Sequence, residues 1–266
     1  MANGIKLFLT AFLSFSALIL AIIACAGSTK NYYPINSIYV AQLDLTNLNI
    51  ESVLPTLSST STSTVFPSYI TIGLWSYCTL TSNKTFISCT SPSGIQNFNL
   101  RNLLYDNIQD NQVLTIIDSI SSIILPSNLQ DKIKYYNSLV KCMFITLLIG
   151  IITSFLALFF ALVRWFIHLT VLNLLAICFS ILSFLSLLIS AGTSMGTYLY
   201  IRRLLNDDDS LGVKLYLGRV YLGIIWGAVV ASLLDLIVWS FVRSRRRQNI
   251  NNIYVNNVET KPLIYS

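Results

Sequence analysis

Four long apolar runs with almost no charge in their cores, at 7–26, 141–163, 169–192 and 217–242, constrain this chain more than any other feature. Crossing ~30 Å of hydrocarbon at 1.5 Å per residue takes about 20 helical residues, and each run is that long. In lipid every backbone N–H and C=O must find an internal partner. The runs show no period-two alternation, so they read as membrane helices and not as barrel strands. Charged residues make up only 11% of the chain, against about 25% in a soluble domain, which excludes a soluble fold. The first run has a competing reading, because Lys6 precedes it and Ala24-Cys25-Ala26 has the form of a signal-peptidase site. The apolar stretch is longer than the ~7–15 residues of a secretory h-region, which favours a retained span.

Orientation follows from basic residues near the membrane ends. The segment after the fourth run opens with Arg243, Arg245, Arg246 and Arg247, and the connection 164–168 carries Arg164 and His168. Both are expected to be cytoplasmic, together with the N-terminal segment 1–6. That places a large loop, 27–140, and a second loop, 193–216, outside. The large loop is nearly charge-balanced: Lys30, Lys84, Arg101, Lys132 and Lys134 stand against Asp44, Glu51, Asp106, Asp110, Asp118 and Asp131. The net charge of +6 is therefore mainly a cytoplasmic property. The basic tail 243–266 is first a topology signal, and its arginines also suit anionic inner-leaflet lipids at ~1 kcal/mol per residue.

Cys25, Cys142 and Cys178 fall in or beside the spans, where a thiol is usually a small packing residue. Cys78 and Cys89 alone occupy the large loop, and an even pair in an oxidising compartment is expected to form a disulfide. Between them Asn83-Lys84-Thr85 forms an N-glycosylation sequon, suited to the tip of a hairpin. Strand-forming residues cluster at 36–45, 68–78 and 85–89. A Ser/Thr tract at 57–65 reads as a flexible connector, and helical spacing appears at 98–104 and 113–120. The stretch 128–136 leads without Gly or Pro into the second span, so that helix is expected to project beyond the membrane.

In the fourth span Gly223, Gly227 and Ala231 repeat at four-residue intervals, the small-residue spacing that lets helices approach closely. Asp235 is next on that ridge. An intramembrane carboxylate is costly and faces the bundle interior; partners at similar depth are Asn173, His168 and Arg164. It reads as a buried polar pin, with proton or ion handling as the alternative. Ala176, Ser180, Ser183 and Ser190 form a second small-residue stripe, read as a packing face.

Chemistry-bearing constellations are sparse. The single histidine sits at a membrane boundary, so no Ser-His or Cys-His pair and no zinc cluster can be assembled in the loop. Asp207-Asp208-Asp209 reads as a solvated acidic loop opposite Arg202-Arg203, since a hard cation needs ligands converging from several directions. No phosphate-binding glycine loop or nucleic-acid motif is present, and no cofactor is expected.

Gly73-Leu74-Trp75-Ser76-Tyr77-Cys78, followed by Cys89, resembles the G-L-W-x-x-C…C motif of the claudin-like superfamily of four-span proteins. Ala26-Gly27-Ser28 closing the first helix, Ile38 to Leu45 opening the loop, and the Gly/Trp-rich stretch from Gly218 to Trp226 are similar to the fungal SUR-seven/PalI family. The loop lacks the early Trp of animal claudins, and Leu263-Ile264-Tyr265-Ser266 is unlike their PDZ-binding terminus, which disfavours a tight-junction role. The resemblance implies an all-α membrane bundle with a small disulfide-bearing β-sheet outside, with Trp75 packed where the sheet meets the membrane and its indole nitrogen at the wet interface. It also implies a non-catalytic role in cortical plasma-membrane domains of the eisosome type, linked to cell-wall integrity, endocytosis, sporulation or mating. The PalI branch assists ambient-pH signalling and often has long polar tails, so the tail 243–266 leans to the cortical branch. Implied partners are other cortical membrane proteins or a second copy, and cell-wall glycans.

Overall fold

A computed structural model of the chain describes residues 2–29, 34–47, 67–90, 92, 127–167, 170–206 and 213–241. Four long helices dominate: α1 (Ala2–Ala26), α2 (Ser127–Phe166), α3 (Thr170–Asn206) and α4 (Arg219–Ser240). Each contains an apolar span long enough to cross a membrane, at Gly4–Ala26, Ser138–Phe166, Val171–Arg203 and Arg219–Ser240. The protein is thus a four-span membrane protein. α1 packs on α2 and α4, and α3 closes the ring between them.

The seam of this bundle is legible in residue size. Buried positions recur at alternating three- and four-residue steps: Thr10, Ser14, Ala17, Ala21 and Ala24 on α1, and Ala176, Ser180, Ser183, Leu187, Ser190 and Ser194 on α3. On α4 the stripe is Tyr221, Ile225, Ala228, Ser232, Asp235 and Trp239. That period is the left-handed, roughly 20° crossing in which side chains interlock. Lipid is as apolar as leucine, so association rests on close packing and interhelical hydrogen bonds. Ser154 and Ser183 bridge α2 and α3 through hydroxyls 2.6 Å apart, and Ser190 Oγ donates to the Met143 carbonyl at 3.0 Å. Outward positions such as Phe12, Phe155, Leu174 and Val230 are large, apolar and exposed, as a lipid-facing shell requires.

α2 begins at Ser127 and so projects beyond its apolar span, as expected from the sequence. α3 departs from expectation, because it runs past Gly192 and Gly196 to Asn206 instead of ending at 192. Interior glycine costs a helix about 1 kcal/mol. Ser190, Ser194, Tyr198 and Ile201 nonetheless stay buried, so packing carries the helix through.

At the end of the bundle opposite Lys6 and Phe241 sits a five-stranded antiparallel sheet. Its strands are β1 (Ala41–Asp44), β2 (Tyr69–Ile72), β3 (Tyr77–Leu80), β4 (Phe86–Cys89) and β5 (Lys214–Leu217), in the order β4-β3-β2-β1-β5. The stretch 36–45 is strand only over β1, and the run 68–78 divides into β2 and β3. The division falls where the Gly73 N–H donates to the Ser76 carbonyl at 2.9 Å and turns the chain back. β5, from the second loop, pairs with β1 in register from Ala41 opposite Leu217 to Asp44 opposite Lys214. The sheet core of Leu43, Ile70, Ile72 and Leu215 is continuous with the helix core at Met143, Leu147, Leu187 and Ile225. The Ser/Thr tract, the stretches of helical spacing expected at 98–104 and 113–120, His168, Asp207-Asp208-Asp209 and the arginine cluster lie outside the described residues.

Candidate functional site: the clamped hairpin and its anchor on the bundle

β3 and β4 form a hairpin on either side of Asn83. Cys78 and Cys89 face each other in its register and are joined by a disulfide. Asn83 is exposed in the turn, which is closed by the Thr81 N–H to the Thr85 carbonyl and the Lys84 N–H to the Thr81 carbonyl, both at 2.9 Å. Lys84 takes the left-handed conformation at φ 58° and lays its ammonium over the Tyr69 ring at 5.7 Å. Ile87 on β4 is exposed, so this edge of the sheet carries apolar surface beside the sequon among the described residues.

The other end of the motif is buried. Gly73 packs so tightly that an added Cβ would lie 2.6 Å from Ser28 Cβ and within 3.1 Å of the Ser76 and Gly27 carbonyl oxygens. Leu74 is buried beside it. Trp75 donates its indole N–H to the Cys25 carbonyl at 2.8 Å and meets Phe144 of α2 edge-to-face at 4.8 Å between ring centroids. The indole nitrogen is thus bonded to the end of α1, with the ring half-buried. Helix C-termini leave carbonyls without intrahelical donors, and Trp75 supplies one to α1. The turn that follows α1 is held by a second bond, since Ser76 Oγ donates to the Ser28 carbonyl. Ser28 itself sits at φ 55°, with its hydroxyl donating to the Ile38 carbonyl at 3.1 Å. Ser28 enters the sequence reading only as the residue that closes α1. A serine directly after a helix-ending glycine is the one local hint that it turns the chain.

Of the ridge on α4, Ala231 and Asp235 are buried, Gly227 is half-buried with Leu20 Cδ1 3.5 Å from where a Cβ would be, and Gly223 is exposed with nothing within 4 Å. The buried stripe is rotated from the predicted one and passes through Tyr221, Ile225 and Ala228. Asp235 accepts from Ser180 Oγ at 2.7 Å. Of the partners expected by depth, Arg164 instead covers the Trp239 ring at 5.5 Å, and Asn173 Oδ1 has no hydrogen-bond partner.

No cluster of three metal-ligating side chains occurs among the described residues. The geometry is that of an anchored, covalently clamped surface. The sequence model of the SUR7/PalI family matches residues 7–238. Protein PUN1 of Saccharomyces cerevisiae is 52% identical over 267 residues, covering 99% of this chain and all of that protein. An uncharacterized protein of the same yeast is 22% identical over 201 residues, 68% of this chain and 25% of its own length. By the extent of the family match and the identity to a full-length relative, this chain belongs to the SUR7/PalI family.

Proposed function

We propose that this protein is a non-catalytic organiser of plasma-membrane domains at the cell cortex. In this reading both termini are cytoplasmic and the sheet faces the cell exterior. Family membership supports the setting, and the observation that carries the reading is the coupling of the clamped hairpin to the bundle. Trp75 ties the sheet to the end of α1 and Ser76 to the turn after it, which in this reading holds the hairpin tip at a set height above the membrane. A surface held in that way suits lateral contact with neighbouring membrane proteins or with wall glycans. Asn83, exposed at the tip, is the sugar acceptor in the same reading. The arginines at 243, 245, 246 and 247 add attraction to anionic inner-leaflet lipid.

Live-cell imaging of a C-terminally tagged full-length chain against an eisosome marker tests this. Immobile cortical patches coinciding with the marker are expected. Signal spread evenly over the cell surface, or confined to internal membranes, would contradict the proposal.

A further inference from the structure

We propose that the outward face of β1 and β5 binds a neutral polysaccharide of β-linked glucose-type units, stacked on Tyr216 and held by Asp44, Lys214 and Gln42. Residues directly opposite each other in an antiparallel pair share a face. Leu43, Ile70 and Leu215 form a buried row of the sheet, so Gln42 with Tyr216, and Asp44 with Lys214, point the other way. Burial along β1 and β5 alternates accordingly. Tyr216 is 46% exposed and Lys214 is exposed beside it, whereas Thr71 and Leu80 on the same face are buried. The open part of this face is therefore a ledge formed by β1 and β5.

The polar groups on this ledge are ordered without being used up. Asp44 Oδ1 accepts from the Thr46 N–H at 3.0 Å and from the Thr46 hydroxyl at 2.6 Å, which fixes the carboxylate and leaves Oδ2 open. Lys214 stands directly opposite Asp44 in the register, yet the two make no ion pair among the described residues. Gln42 Oε1 accepts from the Tyr39 hydroxyl at 3.3 Å, so the NH2 group of Gln42 can donate outward. An acceptor, an amide donor and an ammonium thus surround an exposed aromatic ring on paired strands. Such a preorganised mixture of apolar surface and a few placed polar groups fixes a ligand's orientation at little ordering cost.

The chemistry of the ledge selects the ligand. Asp44 and Lys214 cancel in charge, so the pair favours neither an acidic nor a basic partner. The neighbouring hydroxyls of a sugar, each both donor and acceptor, match a carboxylate set beside an ammonium and an amide. A β-linked glucose unit carries its substituents equatorially, which leaves flat faces of C–H groups to lie on the Tyr216 ring, whereas the axial hydroxyl of mannose interrupts one of them. An open strand face grips units in the middle of a chain, whereas a chain end is selected by an enclosing pocket. The ligand is thus a free polymer and not the terminal sugar of a neighbouring glycoprotein. This deepens the glycan contact proposed above, and it rests on that reading for one point, that the sheet faces the cell exterior.

The test uses the purified full chain in nanodiscs, because sugar-headed detergents would compete. Binding of laminarihexaose, a hexamer of β-linked glucose, is followed by saturation-transfer NMR and by titration, with an α-linked mannose hexamer as the comparison. Saturable binding of laminarihexaose is expected, with transfer strongest at its axial ring protons, and the mannose hexamer should bind at least about tenfold more weakly. Tyr216→Ser should weaken laminarihexaose binding about tenfold, and Tyr216→Phe, which keeps the ring, should bind like the parent. Lys214→Met keeps the length of the side chain without its charge and should also weaken binding about tenfold. Both side chains are exposed, so the unfolding midpoints of these variants should match the parent. Absence of saturable binding, or equal binding of the two hexamers, overturns the proposal. So does a Tyr216→Ser variant that binds like the parent, which would leave the ring as a membrane-interface anchor. Binding by the purified chain does not depend on where the protein resides in the cell, so its failure leaves the cortical reading standing, and failure of the imaging test leaves this site standing.

Discussion

Replacing Trp75 by Phe isolates the bond that ties the loop to the first helix. Phenylalanine keeps a ring to meet Phe144 but has no N–H for the Cys25 carbonyl. A typical intramolecular hydrogen bond contributes about 1 kcal/mol net, and a buried acceptor left unsatisfied costs about 1–3 kcal/mol. Cys25 is buried, so the upper part of that range applies, and Trp75→Phe should destabilise by about 2 kcal/mol. Trp75→Ala also loses the ring and should cost about 3–5 kcal/mol. A double-mutant cycle of Trp75→Ala with Phe144→Leu should return a coupling of about 0.5–1.5 kcal/mol for the edge-to-face pair. The assay is unfolding of the purified full chain in detergent, followed by near-ultraviolet circular dichroism. If Trp75→Phe matches the parent while Trp75→Ala falls, the ring alone matters and the helix-end bond is not the anchor. Strict additivity with Phe144→Leu would refute the ring contact.

Three further outcomes follow from the same geometry. Gly73→Ala drives a methyl against Ser28 Cβ and two carbonyl oxygens, so it should cost about 1–3 kcal/mol in the same unfolding assay; an unchanged midpoint would mean that the turn has room. Cys78→Ser with Cys89→Ser should lose about 3 kcal/mol and hold the protein in the secretory pathway; surface biotinylation equal to the parent would contradict that structural role. Asn83→Gln should remove a glycosidase-sensitive mobility shift on gels, and a parent protein already insensitive to the enzyme would show that the tip carries no N-linked sugar.

Span number and the clamped hairpin are legible in the sequence because each rests on information within one short window: about 20 apolar residues, or two cysteines flanking a turn. What is not legible depends on neighbours distant in sequence. β5 is four residues long, and its only reason to be a strand is the open edge of β1. Trp75 can be singled out by its motif, yet nothing local says that its indole reaches the Cys25 carbonyl and not water. Counting depth from the membrane ends pairs Asp235 with Asn173, Arg164 or His168. The observed partner, Ser180, lies two turns above Asn173, because stagger between helices is set by packing and not by the distance of each residue from its own helix end. The predicted ridge on α4 is buried at Ala231 and Asp235 but not at Gly223, for a related reason. Gly223 and Gly227 are small, but the three-and-four-residue step of the buried stripe follows the shape offered by α1 and α3.

Every helix is tied to the sheet end by a contact of a different kind. α1 is held by the Trp75 bond to Cys25 and the Ser76 bond to the turn just after it, and α2 by the Phe144 ring against Trp75. α3 ends with Asn206 accepting the Leu215 N–H at 2.9 Å. Directly before α4, the Gly218 N–H donates to the Val40 carbonyl at 2.9 Å, and its α-carbon packs against the Tyr39 carbonyl so closely that no Cβ could be accommodated. A sheet fastened at one helix could rock about that point, whereas four separate attachments remove that freedom. Tilting the hairpin would then require the helix ends to move together, against a core that runs unbroken from Leu43 and Ile70 to Leu147 and Leu187. A contact made at β4 is therefore felt as a force on the whole bundle. Conversely, the tilt that the exposed apolar faces take in lipid sets the angle at which the hairpin is presented. The orientation of the sheet and the placement of the helices in the bilayer are therefore coupled.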